Sequence, residues 1–289
     1  MRVTLDGGNW PTVIVKHISP PVGKAHPRGW NTDIGHQRKL RSYQVEEAWY
    51  RHHAKPSNQW RTARFIAAVS SSNGQLIVME DLDVAGYDLR KHRTTLSEIK
   101  ACLSWLAHFH ASFLGKEPSG LWEEGTYWHL ATRPEELKVM RDGVLKEKAY
   151  TIDKALRNCR FRTFVHGDAK LANFCFARDG RVAAVDFQYV GGGCGMKDLA
   201  YLIGGCLPPE DCFALEAHVL NTYFAALREA LSERGNKVET DALEADWRRL
   251  YPYAWADFER FLMGWSPGHW KMNAYSEHMT EQALAACGG

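Results

Sequence analysis

Residues 164–188 read FVHGDAKLANFCFARDGRVAAVDFQ, and the fold turns on this stretch. Asp168, Lys170, Asn173 and Asp186 punctuate two otherwise apolar runs, 174–177 and 182–187. Arg178-Asp179-Gly180-Arg181 joins the runs, and its Asp-Gly dipeptide suits a two-residue hairpin turn, which needs positive φ at both positions. That turn pairs Asn173 with Asp186. The two side chains would then share one face, with Cβ atoms about 5 Å apart. An amide oxygen and a carboxylate are hard donors suited to Mg²⁺, which takes few protein ligands and keeps phosphate oxygens in its shell. Asp168 lies five residues before Asn173, in the entering loop, and can face the same cation from the acceptor side.

Outward from this hairpin the chain divides near residue 82. Residues 12–17, TVIVKH, form a short β-rich run. A helix is expected over 42–53, with Val45 and Trp49 on one face. Two apolar runs, 64–70 and 76–81, flank Ser71-Ser72-Asn73-Gly74, and Asn-Gly between such runs signals a hairpin. From Thr95 the pattern turns helical. Thr95 and Glu98 make a capping box. Ile99, Leu103, Leu106, His110 and Phe113 then recur at three and four, a buried stripe on which His110 reads as a core histidine.

The 289 residues are 45% apolar and 24% charged, which fits a folded globular chain and excludes disorder or coiled coil as the main architecture. No apolar run approaches the ~20 residues a membrane span needs. The N-terminus lacks the apolar core of a signal peptide. A net charge of +2 implies no nucleic-acid partner. Seven cysteines, an odd number with no C-x-x-C pair, suggest reduced thiols and a cytoplasmic location.

H-G-D-x-x-x-x-N at 166–173 followed by D-F-Q at 186–188 resembles the catalytic and metal loops of the kinase-like small-molecule phosphotransferases. These include aminoglycoside phosphotransferases, choline kinases and ecdysteroid kinase-like proteins, and D-F-Q is most similar to the ecdysteroid kinase-like and CHK-kinase-like branch. The resemblance extends through VIVK at 13–16, E-x-x-W-Y at 46–50, VMEDL at 78–82, LAHFHA at 106–111 and MKDLAY at 196–201. It implies an α+β, bilobal protein-kinase-like fold. A small antiparallel β-rich N-lobe and hinge would span 1–82, and a larger, mainly helical catalytic and acceptor lobe 83–289. Only 15 residues precede Lys16, so the small lobe reads as cut short, with Gly7-Gly8 a hairpin turn rather than a phosphate-covering loop.

By the same resemblance, Asp168 accepts or orients an acceptor hydroxyl, and Asn173 and Asp186 hold Mg²⁺. Lys16 contacts the α- and β-phosphates of ATP and pairs with a helix carboxylate, Glu46, with Glu47 the neighbouring alternative. Lys170 steadies the γ-phosphate. Met79, Glu80, Asp81 and Leu82 form the hinge, meeting adenine through backbone groups. His166 anchors the catalytic loop. Asp198 hydrogen-bonds that loop or else caps its own helix. The implied function is ATP- and Mg²⁺-dependent transfer of phosphate to a small-molecule hydroxyl, with a nucleotide-binding pseudokinase as the alternative. A protein kinase is disfavoured, since D-F-Q replaces D-F-G and no A-P-E follows.

Gly191-Gly192-Gly193-Cys194-Gly195 follows the D-F-Q strand, outside the context of a phosphate loop. It reads as a mobile segment beside the acceptor. Of 11 tryptophans, four lie between 247 and 270. Trp247, Tyr251, Trp255, Phe258, Leu262 and Trp265 share one helix face, with a possible break at Pro252. This face reads either as a core stripe or as an aromatic acceptor pocket for a cationic or flat hydrophobic alcohol, with Trp255, Trp265 and Trp270 as the pocket candidates. Residues 1–199 carry a net +8 and residues 200–289 a net −6, a split that agrees with a cationic acceptor on the second part.

Overall fold

The computed structural model describes residues 1–18, 33–55, 57–71 and 74–288. The chain opens with β1 (Arg2–Thr4) and β2 (Thr12–Ile18), then helix α1 (Asp33–Ala48), which runs into a π-helical turn, Trp49–His53. Short β3 (Arg61–Thr62) precedes β4 (Phe65–Ser71) and β5 (Gly74–Glu80). A four-stranded antiparallel sheet has the order β1-β2-β5-β4. Gly7 and Gly8 take φ of 82° and 87° in the β1–β2 connection, the turn read from the sequence. β4 and β5 pair as far as Ser71 opposite Gly74, while Ser72 and Asn73 lie outside the described residues. Helix α1 begins before the expected residue 42 because its first half is not held by an apolar stripe. Arg38 donates to the Thr132 carbonyl at 2.7 Å and Arg41 to that of Leu121 at 3.0 Å.

After β5 comes α2 (Leu96–Phe113), with the Thr95–Glu98 capping box in place. It is buried over most of its circumference, as a central helix must be. There follow α3 (Pro134–Val139), α4 (Val144–Arg157), β6 (Thr163–Val165), β7 (Phe174–Phe176), β8 (Val182–Ala184) and β9 (Gly191–Gly193). The chain ends with α5 (Met196–Cys206), α6 (Pro209–Glu233), α7 (Thr240–Trp265) and α8 (Ala274–Ala286). Helix α2 packs on α6, and α7 packs on α4, α5 and α8. α7 passes through Pro252 without interruption. The fold is α+β and bilobal, with a small antiparallel sheet lobe and a larger, mainly helical lobe, as the motifs implied. One segment of the first 82 residues crosses over: β3 pairs in parallel with β8, and Trp105 Nε1 donates to the Arg61 carbonyl at 2.9 Å. Among the described residues, no helix is long and apolar enough to cross a membrane.

The glycine run corrects the sequence reading. It is no mobile segment: Gly191–Gly193 is the buried strand β9, paired with β6. A Cβ on Gly191 would lie 2.3 Å from the Trp122 carbonyl oxygen, and one on Gly195 2.7 Å from the Trp247 ring. Glycine is needed there for close approach. Gly191→Ala should therefore lower the unfolding free energy by about 1–3 kcal/mol. The check is a denaturant midpoint, and an unchanged one would contradict the tight packing.

Candidate active site

The loop 166–173 leaves β6 at His166 and enters β7 after Asn173. Asp198, in the first turn of α5, holds it from below. Its carboxylate accepts the backbone N–H of His166 and, at 2.9 Å, that of Gly167. It does not cap its own helix, whose N-cap is Gly195. Asp198 also accepts His110 Nε2 at 3.2 Å, so His110 Nδ1 accepts the Tyr223 hydroxyl, 2.6 Å away. That is the satisfied core histidine expected. His166 clamps the loop from above, taking the Asp168 N–H on Nδ1 (3.2 Å) and donating from Nε2 to the Val185 carbonyl (3.0 Å). Gly167 has φ +78°, and a Cβ there would lie 2.1 Å from the Tyr189 carbonyl oxygen.

These contacts aim Asp168. Its Oδ2 accepts Lys170 Nζ at 2.7 Å and Asn173 Nδ2 at 3.0 Å. Its Oδ1 is buried and makes no hydrogen bond among the described residues. Burial pushes the Asp168 carboxyl upward, against the attraction of Lys170.

The hairpin differs from expectation by one residue. Phe174 pairs with Ala184 and Phe176 with Val182, and the Ala177 N–H meets the Arg181 carbonyl at 2.8 Å. The loop is therefore Arg178-Asp179-Gly180, three residues with Gly180 at φ +88°, the pattern of a turn followed by a left-handed glycine. Asn173 faces Val185, whose N–H donates to its carbonyl at 2.9 Å, instead of Asp186. Asp186 reaches the site by another route. It has φ +67°, and that left-handed kink, uncommon outside glycine, breaks the strand alternation.

Lys16 Nζ lies 2.8 and 2.6 Å from the Glu46 oxygens and 3.1 Å from Asp186 Oδ1. Glu46 is the buried partner, while Glu47 bonds Arg51, Ser70 and Gln75. Burial alone would lower the Lys16 ammonium, but the charges of Glu46 and Asp186 carry it above the usual lysine value. The same pairing holds Asp186 below the usual carboxylate range in spite of burial. Around them is a cavity of about 310 Å³, walled by Ile14, Lys16, Met79, Leu82, Val185 and Asp186. Glu80 and Asp81 also line it, but their carboxylates are engaged. Glu80 pairs with Arg61, and Asp81 takes Arg2 and, at 2.8 Å, the Thr12 hydroxyl.

Asp186 also lines a second, larger cavity of about 580 Å³, together with Asp168 and Lys170. Trp265 and Trp270 stand in its wall with Phe258 and Phe261. Trp255 does not. It is buried against Tyr251 and Tyr275 and fills the space over Gly204, so it is a core residue. The shared helix face splits in two because α7 passes from the main core to the cavity wall along its length. The sequence reading missed Tyr127, Tyr201 and Lys271. Tyr201 closes the quoted MKDLAY motif, and its hydroxyl is 3.2 Å from that of Tyr127. Lys271 is the only Lys or Arg after Arg260, beside Trp270, and that isolation was the available signal. Burial pushes its ammonium down to about 8.

Asn173 turns its amide nitrogen to Asp168, which leaves an amide oxygen and the Asp186 carboxylate as hard donors. That set fits Mg²⁺ shared with phosphates. Among the described residues, no cluster of three or more His, Cys, Asp or Glu could hold a metal alone.

The Ecdysteroid kinase-like family model matches residues 124–235, which include the loop 166–173, the hairpin and Asp198. The resemblance drawn from the motifs is borne out over that stretch. No curated protein matches the chain in sequence. Among solved structures, the chain is similar to choline kinase LicA from Streptococcus pneumoniae, at 13% identity and TM-score 0.44, covering 96% of this chain and 86% of that one. It is also similar to an aminoglycoside phosphotransferase from Alicyclobacillus acidocaldarius, at 13% identity and TM-score 0.44, covering 96% and 83%. A microcompartment-associated aminopropanol kinase matches at 12% identity and TM-score 0.48, covering 96% and 83%.

The two loop carboxylates should respond oppositely to truncation. Asp198→Ala strands buried N–H groups and should cost about 3 kcal/mol or more. Asp168→Ala removes a buried carboxylate with an unsatisfied oxygen and should leave stability unchanged or raised. Thermal unfolding of both variants checks this, and equal destabilisation would contradict it.

Proposed function

We propose that this protein transfers the γ-phosphate of ATP, with Mg²⁺, to a hydroxyl of a small molecule. The observation that carries the reading is the orphaned, buried Oδ1 of Asp168, beside a cavity that shares Asp186 with a second one. ATP would occupy the smaller cavity, its adenine against the backbone of 79–82 and its phosphates reached by Lys16. The acceptor would occupy the larger.

The acceptor oxygen attacks the γ-phosphorus in line, its proton passes to Asp168, and the bond to the β,γ-bridging oxygen breaks to release ADP. Lys170 holds Asp168 in place and offsets charge on the moving phosphoryl group. Asn173 and Asp186 would hold Mg²⁺, which neutralises phosphate charge when bound. His166 and Asp198 position the loop without touching the reacting atoms. The odd cysteine count without a C-x-x-C pair supports a cytoplasmic placement.

Asp168→Ala should lower kcat by about 10²–10⁴-fold and leave the ATP dissociation constant within a few fold. Lys170→Ala should lower kcat more than it weakens ATP binding. Acceptor-dependent Mg-ATP consumption, read beside nucleotide binding by calorimetry, checks both. ATP bound by the wild type with no turnover for any alcohol would favour the pseudokinase instead.

A further inference from the structure

The charge at the larger cavity is opposite to what the acidic second part of the chain suggests. Its carboxylates are Asp168 and Asp186, the first bonded to Lys170 and the second to Lys16. Against them stand Lys39, Lys91, Arg133, Lys170 and Lys271. Lys271 differs from the rest. It is 8% exposed, yet its ammonium makes no ion pair or hydrogen bond among the described residues. It rests over aromatic faces, 4.0 Å from the Tyr201 ring centre, 5.5 Å from Trp270 and 5.6 Å from Phe258. Its Nζ lies against α5 at Gly205, where a Cβ would approach to 3.2 Å. The charged groups acting on it are Asp168, which attracts, and Lys170, which repels, with the Cys206 thiol adjacent.

An ammonium held largely out of water with no carboxylate partner is costly even over aromatic rings, and an anionic group in the cavity would offset that cost. A cationic acceptor would meet repulsion here. We infer that Lys271 is the acceptor-recognising cation, and that the acceptor is an apolar or aromatic alcohol carrying an anionic group, a carboxylate or its equivalent. The rings of Tyr201, Phe258 and Trp270 take the apolar body, the hydroxyl faces Asp168, and the anionic group pairs with Lys271. This inference rests on the reading of the larger cavity as the acceptor site.

One scaffold with three head groups tests it: 6-(hydroxymethyl)-2-naphthoic acid, its primary amide, and the aminomethyl analogue. Tryptophan-fluorescence titration gives dissociation constants for wild type, Lys271→Met, which keeps the apolar stem, and Lys271→Arg. The acid should bind wild type about tenfold or more tighter than the amide, with the amine weakest. The acid-to-amide ratio should collapse in Lys271→Met and persist in Lys271→Arg. An amine that binds best, equal binding or no binding of all three, or a ratio that survives Lys271→Met overturns the inference. Mg-ATP consumption is read separately. A bound acid that is never phosphorylated counts against phosphoryl transfer while leaving the head-group preference standing.

Discussion

Phe187 is the residue on which the two lobes agree. Its ring stacks on Trp49 at 4.5 Å, with Trp105 and the His166 ring on its flanks. Trp49 follows Glu46 by one helical turn, and Phe187 directly follows Asp186. A single stack therefore sets the helix that presents Glu46, and the strand end that presents Asp186, to the two sides of Lys16. Phe109, Phe113 and Trp60 continue the cluster into α2 and the crossing segment before β3. Offset and edge-on ring contacts add to the apolar area they bury. The high tryptophan count thus has a mechanical use. Trp49, Trp60 and Trp105 join the lobes.

On that frame, the polar groups of the site form two short chains. Glu46, Lys16 and Asp186 make one, and Asn173, Asp168 and Lys170 the other. Burying ions is costly unless each is paired and hydrogen-bonded, and most of these are. Lys16 satisfies two carboxylates, and Asp198 collects two backbone N–H groups and an imidazole. At the larger cavity, Asp168 Oδ1 makes no hydrogen bond and the Lys271 ammonium no ion pair among the described residues. A ligand there would have something to satisfy.

Much of this was legible in the sequence, and the failures have physical causes. The capping box and the α2 stripe follow from spacing, which sequence patterns record, and the choice of Glu46 over Glu47 follows from the motif resemblance. The hairpin register did not, because Asp-Gly serves both a two-residue turn and the end of a three-residue loop. That ambiguity moves a side chain by one place. The kink at Asp186 then restores a carboxylate to the site that strand alternation alone would have misplaced. Core and pocket stayed open for Trp255 because periodicity shows which face of a helix is apolar, not what covers each turn of it. Gly191–Gly193 was misread because glycines for mobility and glycines for close packing look alike until the opposing Trp122 carbonyl is in view.

The charge asymmetry carries the last step. Several acids after residue 200 pair with arginines of their own or neighbouring helices. Glu244 meets Arg228 and Arg248, Asp246 meets Arg249, and Asp257 meets Arg260. None of these acids lines the larger cavity. Net charge over a segment sums groups that fold apart, whereas a ligand feels only those within a screening length of its site. Over residues 200–289 the sum is acidic, while the cavity is basic. A lone lysine placed among aromatic residues by the fold therefore says more about the acceptor than the thirteen acids that share residues 200–289 with it.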